Sequence, residues 1–163
     1  MERSIGFKER RYIEELRILT RSTAVDCIID ERFDRVIYVI KPGDMGVAIG
    51  KKGENIKRLA RQLGRRLEMV EYAETPEALI ANIIRPAELV GVRPNGDATA
   101  VDLVIRRRAD LGIVIGRGGC TVEKIRALCR RFFDLEVDDV RIAPDEDGDE
   151  AWDGDDGGDG ASP

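Results

Sequence analysis

Two short cationic glycine loops are the residues of this sequence best suited to chemistry: Gly50-Lys51-Lys52-Gly53 and Gly116-Arg117-Gly118-Gly119. Glycine reaches backbone angles closed to other residues and leaves no Cβ in the way of a second backbone. A turn built this way lets something thin and extended lie against the chain. With Lys or Arg between the glycines, and a helix following whose first N–H groups are free, the fitting guest is a phosphodiester backbone. Glycines that only cap and reverse helices would explain the turn but not the charge inside it. The design is also used twice. Asp44, Gly46, Ile49, Gly50 and Gly53 recur 66 positions later as Asp110, Gly112, Ile115, Gly116 and Gly119, and Lys51 falls on Arg117.

The chemistry implied is binding, without bond-making. Neither loop has the Gly-Lys-Ser/Thr ending of a P-loop, and no nucleophile–base pair stands out. The chain has no histidine, and Cys27, Cys120 and Cys129 show no CxxC spacing. No catalytic residue, metal, cofactor or small-molecule substrate is therefore assigned.

Each loop needs an apolar segment before it and an amphipathic helix after it, and both are legible. Met45, Val47, Ala48 and Ile49 lead into the first loop as a short helix that Asp44 is placed to cap. A second helix runs from about Gly53 to Leu63 and stops at Gly64. On it Ile56, Leu59, Ala60 and Leu63 share one face, while Lys57, Arg58, Arg61 and Arg65 spread over the other. Loop and helix thus predict one continuous positive track, for which a merely solvated face is the plainer alternative. Leu111, Ile113, Val114 and Ile115 lead into the second loop, and the helix after it buries Val122, Ile125, Cys129, Phe132 and Phe133.

Around these pieces the pattern repeats. Residues 8–20 form an amphipathic helix, and 24–29 and 35–40 a β-branched hairpin; 67–72 is the strand that closes the first unit. Thr75-Pro76-Glu77 starts a helix that Pro86 ends. Strands follow at 89–92 and 99–105 around a turn at Pro94-Asn95-Gly96-Asp97, and the last strand lies within 134–142. The order in each unit is helix, strand, strand, helix, GxxG, helix, strand. That is the type II wiring of a KH domain, whose GxxG loop clamps a few nucleotides of single-stranded RNA. The fold class is α+β, two tandem type II KH domains, each a three-stranded sheet packed against three helices. Domain bounds are 1–73 and 74–144, with a disordered acidic tail at 145–163.

The net charge of −5 conceals a segregation. Nine acidic and no basic residues fall from Asp145 onward. All 27 Lys and Arg therefore lie in residues 1–144 against 23 Asp and Glu, leaving that part mildly basic. The tail is too polar to order itself. It serves solubility or, as a sharper alternative, competes for the basic track as a mimic of nucleic acid. No apolar run is long enough to span a membrane and no signal-peptide core follows Met1, so a soluble protein of a reducing cytoplasm is expected.

With these residues in place, the chain resembles the tandem KH region of the NusA transcription factors, and more closely the short archaeal NusA-like proteins. The stretches that carry the resemblance are GDMGVAIGKKGENIKRLARQLGRRLEMVEY, TPEALIANIIRPAEL and ADLGIVIGRGGCTVEKIRAL. It implies single-stranded RNA binding in transcription elongation, termination or antitermination, with RNA polymerase as a further partner. Bacterial members also carry a polymerase-binding domain and an S1 domain, which have no counterpart in this reading. The RNA-binding residues assigned are Gly50, Lys51, Lys52, Gly53, Lys57 and Arg61 in the first unit, and Gly116, Arg117, Gly118, Gly119 and Lys124 in the second. Two rival functions are a ribosome-associated, ribosomal-RNA-binding KH protein and a KH scaffold for protein interaction; Lys51, Lys52 and Arg117 argue against the scaffold.

Overall fold

The computed structural model describes residues 4–96 and 99–144. The chain divides into two compact units, with the division between Glu74 and Thr75. The acidic tail expected at 145–163 lies outside the described residues.

In the first unit α1 (Phe7–Thr20) precedes β1 (Ala24–Asp30) and β2 (Arg35–Ile40). Next come α2 (Met45–Ile49), a single 3-10 turn at Lys51–Gly53, α3 (Glu54–Leu63) and β3 (Leu67–Glu71). β2 is the centre of the sheet, antiparallel to β1 and parallel to β3. A parallel neighbour requires a crossover, and the α2–turn–α3 segment supplies it. Tyr12 and Leu16 of α1, Ala48 of α2 and Leu59 of α3 pack on Val36, Tyr38, Ile40 and Leu67 of the sheet. The Tyr38 hydroxyl donates to the Tyr12 carbonyl at 2.8 Å, so the one polar atom of that ring is satisfied inside the core. Burial pushes its pKa up.

The second unit repeats this order with α4 (Pro76–Ile84), β4 (Leu89–Asn95), β5 (Ala100–Ile105), α5 (Leu111–Ile115), a 3-10 turn at Arg117–Gly119, α6 (Cys120–Phe133) and β6 (Glu136–Ile142). β5 is central, antiparallel to β4 and parallel to β6. Ile80, Ile84, Val114, Ile125 and Cys129 from the helices meet Val101, Leu103, Ile105, Val137 and Ile142 from the sheet. The Thr75 hydroxyl accepts from the N–H of Ala78 and Pro76 opens the helix, as the sequence predicts. Among the described residues no helix is long and apolar enough to cross a membrane.

Two local expectations are corrected. Asp44 does not cap α2 with its side chain: its backbone is αR (φ −98°, ψ −2°), whereas a capping carboxylate needs an extended residue to reach the first N–H groups. Its Oδ2 accepts instead from the N–H of Thr23, 21 residues away. Pro94 and Asn95 are not turn residues but the end of β4, paired with Val101 and Ala100. β4 is an edge strand, which tolerates the loss of a ladder donor at proline.

Each sheet is also crossed by a polar clasp drawn from all three of its strands. In the first, buried Arg35 of β2 donates from Nε to Asp30 of β1 at 2.7 Å and from Nη1 to Glu68 of β3 at 3.2 Å. In the second the charge is inverted. Asp102 of β5 accepts from Asn95 of β4 at 2.9 Å and from Arg141 Nε of β6 at 2.7 Å. It also takes the N–H of Asp139, at 3.0 Å, close to where the β5–β6 register shifts. Burial alone would raise the pKa of Asp102, but the Arg141, Asp139 and Asn95 donors outweigh it and hold the carboxyl below its usual range.

Candidate nucleic-acid interface

The two glycine turns are one structure made twice. Gly50 and Gly116 have φ 81° and 80°, ψ 170° and 166°, a combination open to glycine. Two residues on, Lys52 and Gly118 enter the left-handed region (φ 57° and 65°), and Gly53 and Gly119 stay there (φ 73° and 85°). Each turn is closed by the N–H of its last glycine donating to the carbonyl of its first, at 3.0 and 3.1 Å.

Close approach explains the first glycine of each set as strictly as the torsion does. A Cβ on Gly50 would sit 2.8 Å from the backbone N of Asn55, and on Gly116 2.6 Å from that of Thr121. The loop is folded back against the first turn of the helix it feeds. In the first unit the Asn55 amide also donates to the Val47 carbonyl at 2.8 Å, tying α3 to α2 across the turn.

Lys51 and Lys52 project from this frame into solvent. With Lys57 and Arg61 of α3 they line an open groove of about 500 Å³, in which Glu54 is the one opposing charge among the lining residues. The structure therefore brings the six residues assigned in the first unit onto one loop and one helix face. In the second unit Arg117 and Gly118 are exposed on the matching turn. Lys124 is half-buried on α6 and stands in the place of Arg58, not of Lys57 or Arg61. Those two positions are taken by Glu123, bonded to Arg126 at 2.6 Å, and Ala127.

Three features were missed at the level of sequence: Glu54 inside the groove, the Asn55 bridge, and the exposure of Val47 and Ile113. The last pair are large aliphatic side chains, 50% and 42% exposed at matching places on α2 and α5. Recurrence at the repeat distance does not reveal that exposure, because the buried pair Ala48 and Val114 recurs in the same way within the same apolar runs. Among the described residues no group of three or more His, Cys, Asp or Glu is placed to hold a metal ion.

A model of the KH domain matches residues 9–75 and again 74–144. A probable transcription termination protein NusA of Halococcus morrhuae is 37% identical over 133 residues, covering 82% of this chain and 93% of that one. The chain is an archaeal NusA-like tandem KH protein. A relative of the same description from Methanocaldococcus jannaschii is 33% identical over 132 residues, 78% of this chain and 64% of that protein. Among solved structures, the crystal structure of APE1850 superposes with a TM-score of 0.73 at 32% identity, over 85% of this chain and 99% of that one.

Proposed function

We propose that this NusA-like protein binds single-stranded RNA through both glycine turns and acts on transcripts during elongation, termination or antitermination, with RNA polymerase as its further partner. The observation that carries the proposal is the pairing of two turns of one backbone geometry with exposed cations, Lys51 and Lys52 in one and Arg117 in the other. The glycines hold each turn folded back on its helix, and the exposed cations neutralise a phosphodiester laid against it. Val47 and Ile113 offer aliphatic surface beside the turns for the bases. The activity is binding alone, since a backbone clamp and a cationic groove hold a phosphodiester without activating it. Kinship with proteins described as probable transcription termination factors favours transcripts over ribosomal RNA as the ligand.

The deciding experiment is RNA affinity across a salt series for the chain carrying Lys51→Asp and Lys52→Asp. Both side chains leave the fold untouched, which circular dichroism checks. Two carboxylates beside the phosphodiester should abolish or greatly weaken binding, and each lost contact should flatten the dependence of log K on log salt by roughly 0.7. Undiminished affinity in a folded chain with both loops reversed in charge would sink the clamp mechanism.

A further inference from the structure

The first unit carries cations that the glycine clamp does not account for. Lys57 and Arg61 lie about one turn of α3 apart, about 6 Å along the helix axis, and Arg61 stands roughly 10 Å beyond the start of the helix. A clamp made by the turn at Gly50–Gly53 needs neither of them. Yet both open into the same groove as Lys51 and Lys52, with Glu54 alone opposing four cations. Among the described residues neither has a partner demanding its charge in the way that Arg35 or Arg126 has. In the second unit the corresponding places hold Glu123 and Ala127, although α6 is 14 residues long against 10 for α3. A helix face kept basic only for solubility would be expected on both copies. A face kept basic on one copy, and continuous with its loop, fits a ligand that passes along it.

We infer that the outward face of α3 is a phosphate track, along which an RNA strand held at the first glycine turn continues for about two further phosphates past Lys57 and Arg61, so that the two units take footprints of unequal length. This rests on the RNA-binding proposal above. The occupant is the same strand, identified by its chemistry. Side chains spaced by one helical turn match a flexible polyanion with one charge per residue, and no base edge is read by them. The track therefore adds affinity and salt dependence without sequence preference, in the manner of grooves that follow a single-stranded backbone.

The test isolates the first unit by silencing the second with Arg117→Asp in the full chain. Fluorescence anisotropy then measures binding of randomised RNA oligonucleotides of four and eight nucleotides over a salt series, with and without Lys57→Gln plus Arg61→Gln. The expected result is that the longer oligonucleotide binds more tightly than the shorter one, with a salt slope steeper by about 1.4 for two contacts. The double substitution should remove that difference, so that the two lengths bind with the same affinity and the same salt slope. If the folded double variant keeps both the length advantage and the slope, α3 is a solvated face and the track is wrong, while the clamp stands. If the four-nucleotide probe fails to bind even with Lys57 and Arg61 present, or binds equally after Lys51→Asp and Lys52→Asp, the clamp itself is overturned and the track falls with it.

Discussion

Lys52 and Gly118 occupy one backbone conformation, φ 57°, ψ 29° and φ 65°, ψ 14°, although only one of them is glycine. A left-handed lysine costs about 1 kcal/mol over glycine, which the second unit avoids. The first unit accepts that strain in order to place a second cation in the turn. Lys52→Gly relieves it but gives the unfolded chain more freedom to lose, by about 0.5–1 kcal/mol. The two effects nearly cancel, so chemical denaturation should show stability within about 1 kcal/mol of the parent. RNA affinity should fall in the same variant, and a variant that binds as the parent does would remove Lys52 from the site.

The turns themselves should be far less tolerant. Gly50→Ala and Gly116→Ala place a methyl against backbone nitrogen at a glycine-only torsion, and each should lose on the order of 2–3 kcal/mol. Gly46 and Gly112 are the matched controls. They lie within helices α2 and α5 with nothing within 4 Å of an added Cβ. Alanine there should be neutral or stabilise by about 0.5–1 kcal/mol. Thermal unfolding of the four variants gives the order directly.

The loops should also differ in weight. Reversing charge at Lys51 and Lys52 removes two cations from a groove that α3 extends, whereas Arg117→Asp removes one from a turn with no matching basic face. The double substitution should cost more affinity and more salt slope than Arg117→Asp, and side-by-side titrations at low salt would reveal the reverse order if it holds.

Glu54 offers a change in the opposite direction. It begins α3, where a carboxylate is favoured by the helix dipole by about 0.3–1 kcal/mol, and it also lines the cationic groove. Glu54→Gln should therefore bind RNA more tightly at low salt while unfolding slightly more easily. Equal affinity would place the strand away from the first turn of α3.

The inverted clasp of the second sheet yields a pH dependence. The carboxyl of Asp102 is held below its usual range in the folded protein, so its contribution to stability is complete above the unfolded value of about 3.9 and is lost as pH falls through the lower folded value. Asp102→Asn sets an amide N–H among three donors and should cost about 3 kcal/mol near pH 7. The gap between parent and variant should close below about pH 4. Urea titrations at several pH values would show a constant gap if the charge is not what matters.

These residues also mark where sequence was informative. The order of elements and both turns were legible because they depend on neighbours: glycine spacing, helical periodicity and the Thr75–Pro76 start are all local. The clasps were not. Arg35 meets Glu68 across 33 residues, and Asp102 meets Arg141 across 39, so their pairing exists only once the parallel strand has crossed over. Asp44 misled for the same reason, since the N–H that captures its carboxylate belongs to Thr23 on the way into β1. In the site, the glycine turns and the charges on α3 were legible. The contrast between Lys57–Arg61 and Glu123–Ala127 needed the two helices aligned on their turns.

The folding back of each turn onto its helix, set by Gly50 against Asn55 and Gly116 against Thr121, separates two properties that most binding loops mix. Shape is written in the main chain, and attraction is written in side chains that touch nothing the shape depends on. A gene duplicated with such a loop can vary its grip on nucleic acid one residue at a time, with foldability left intact. GKKG and GRGG share one backbone and differ in the charge that it carries.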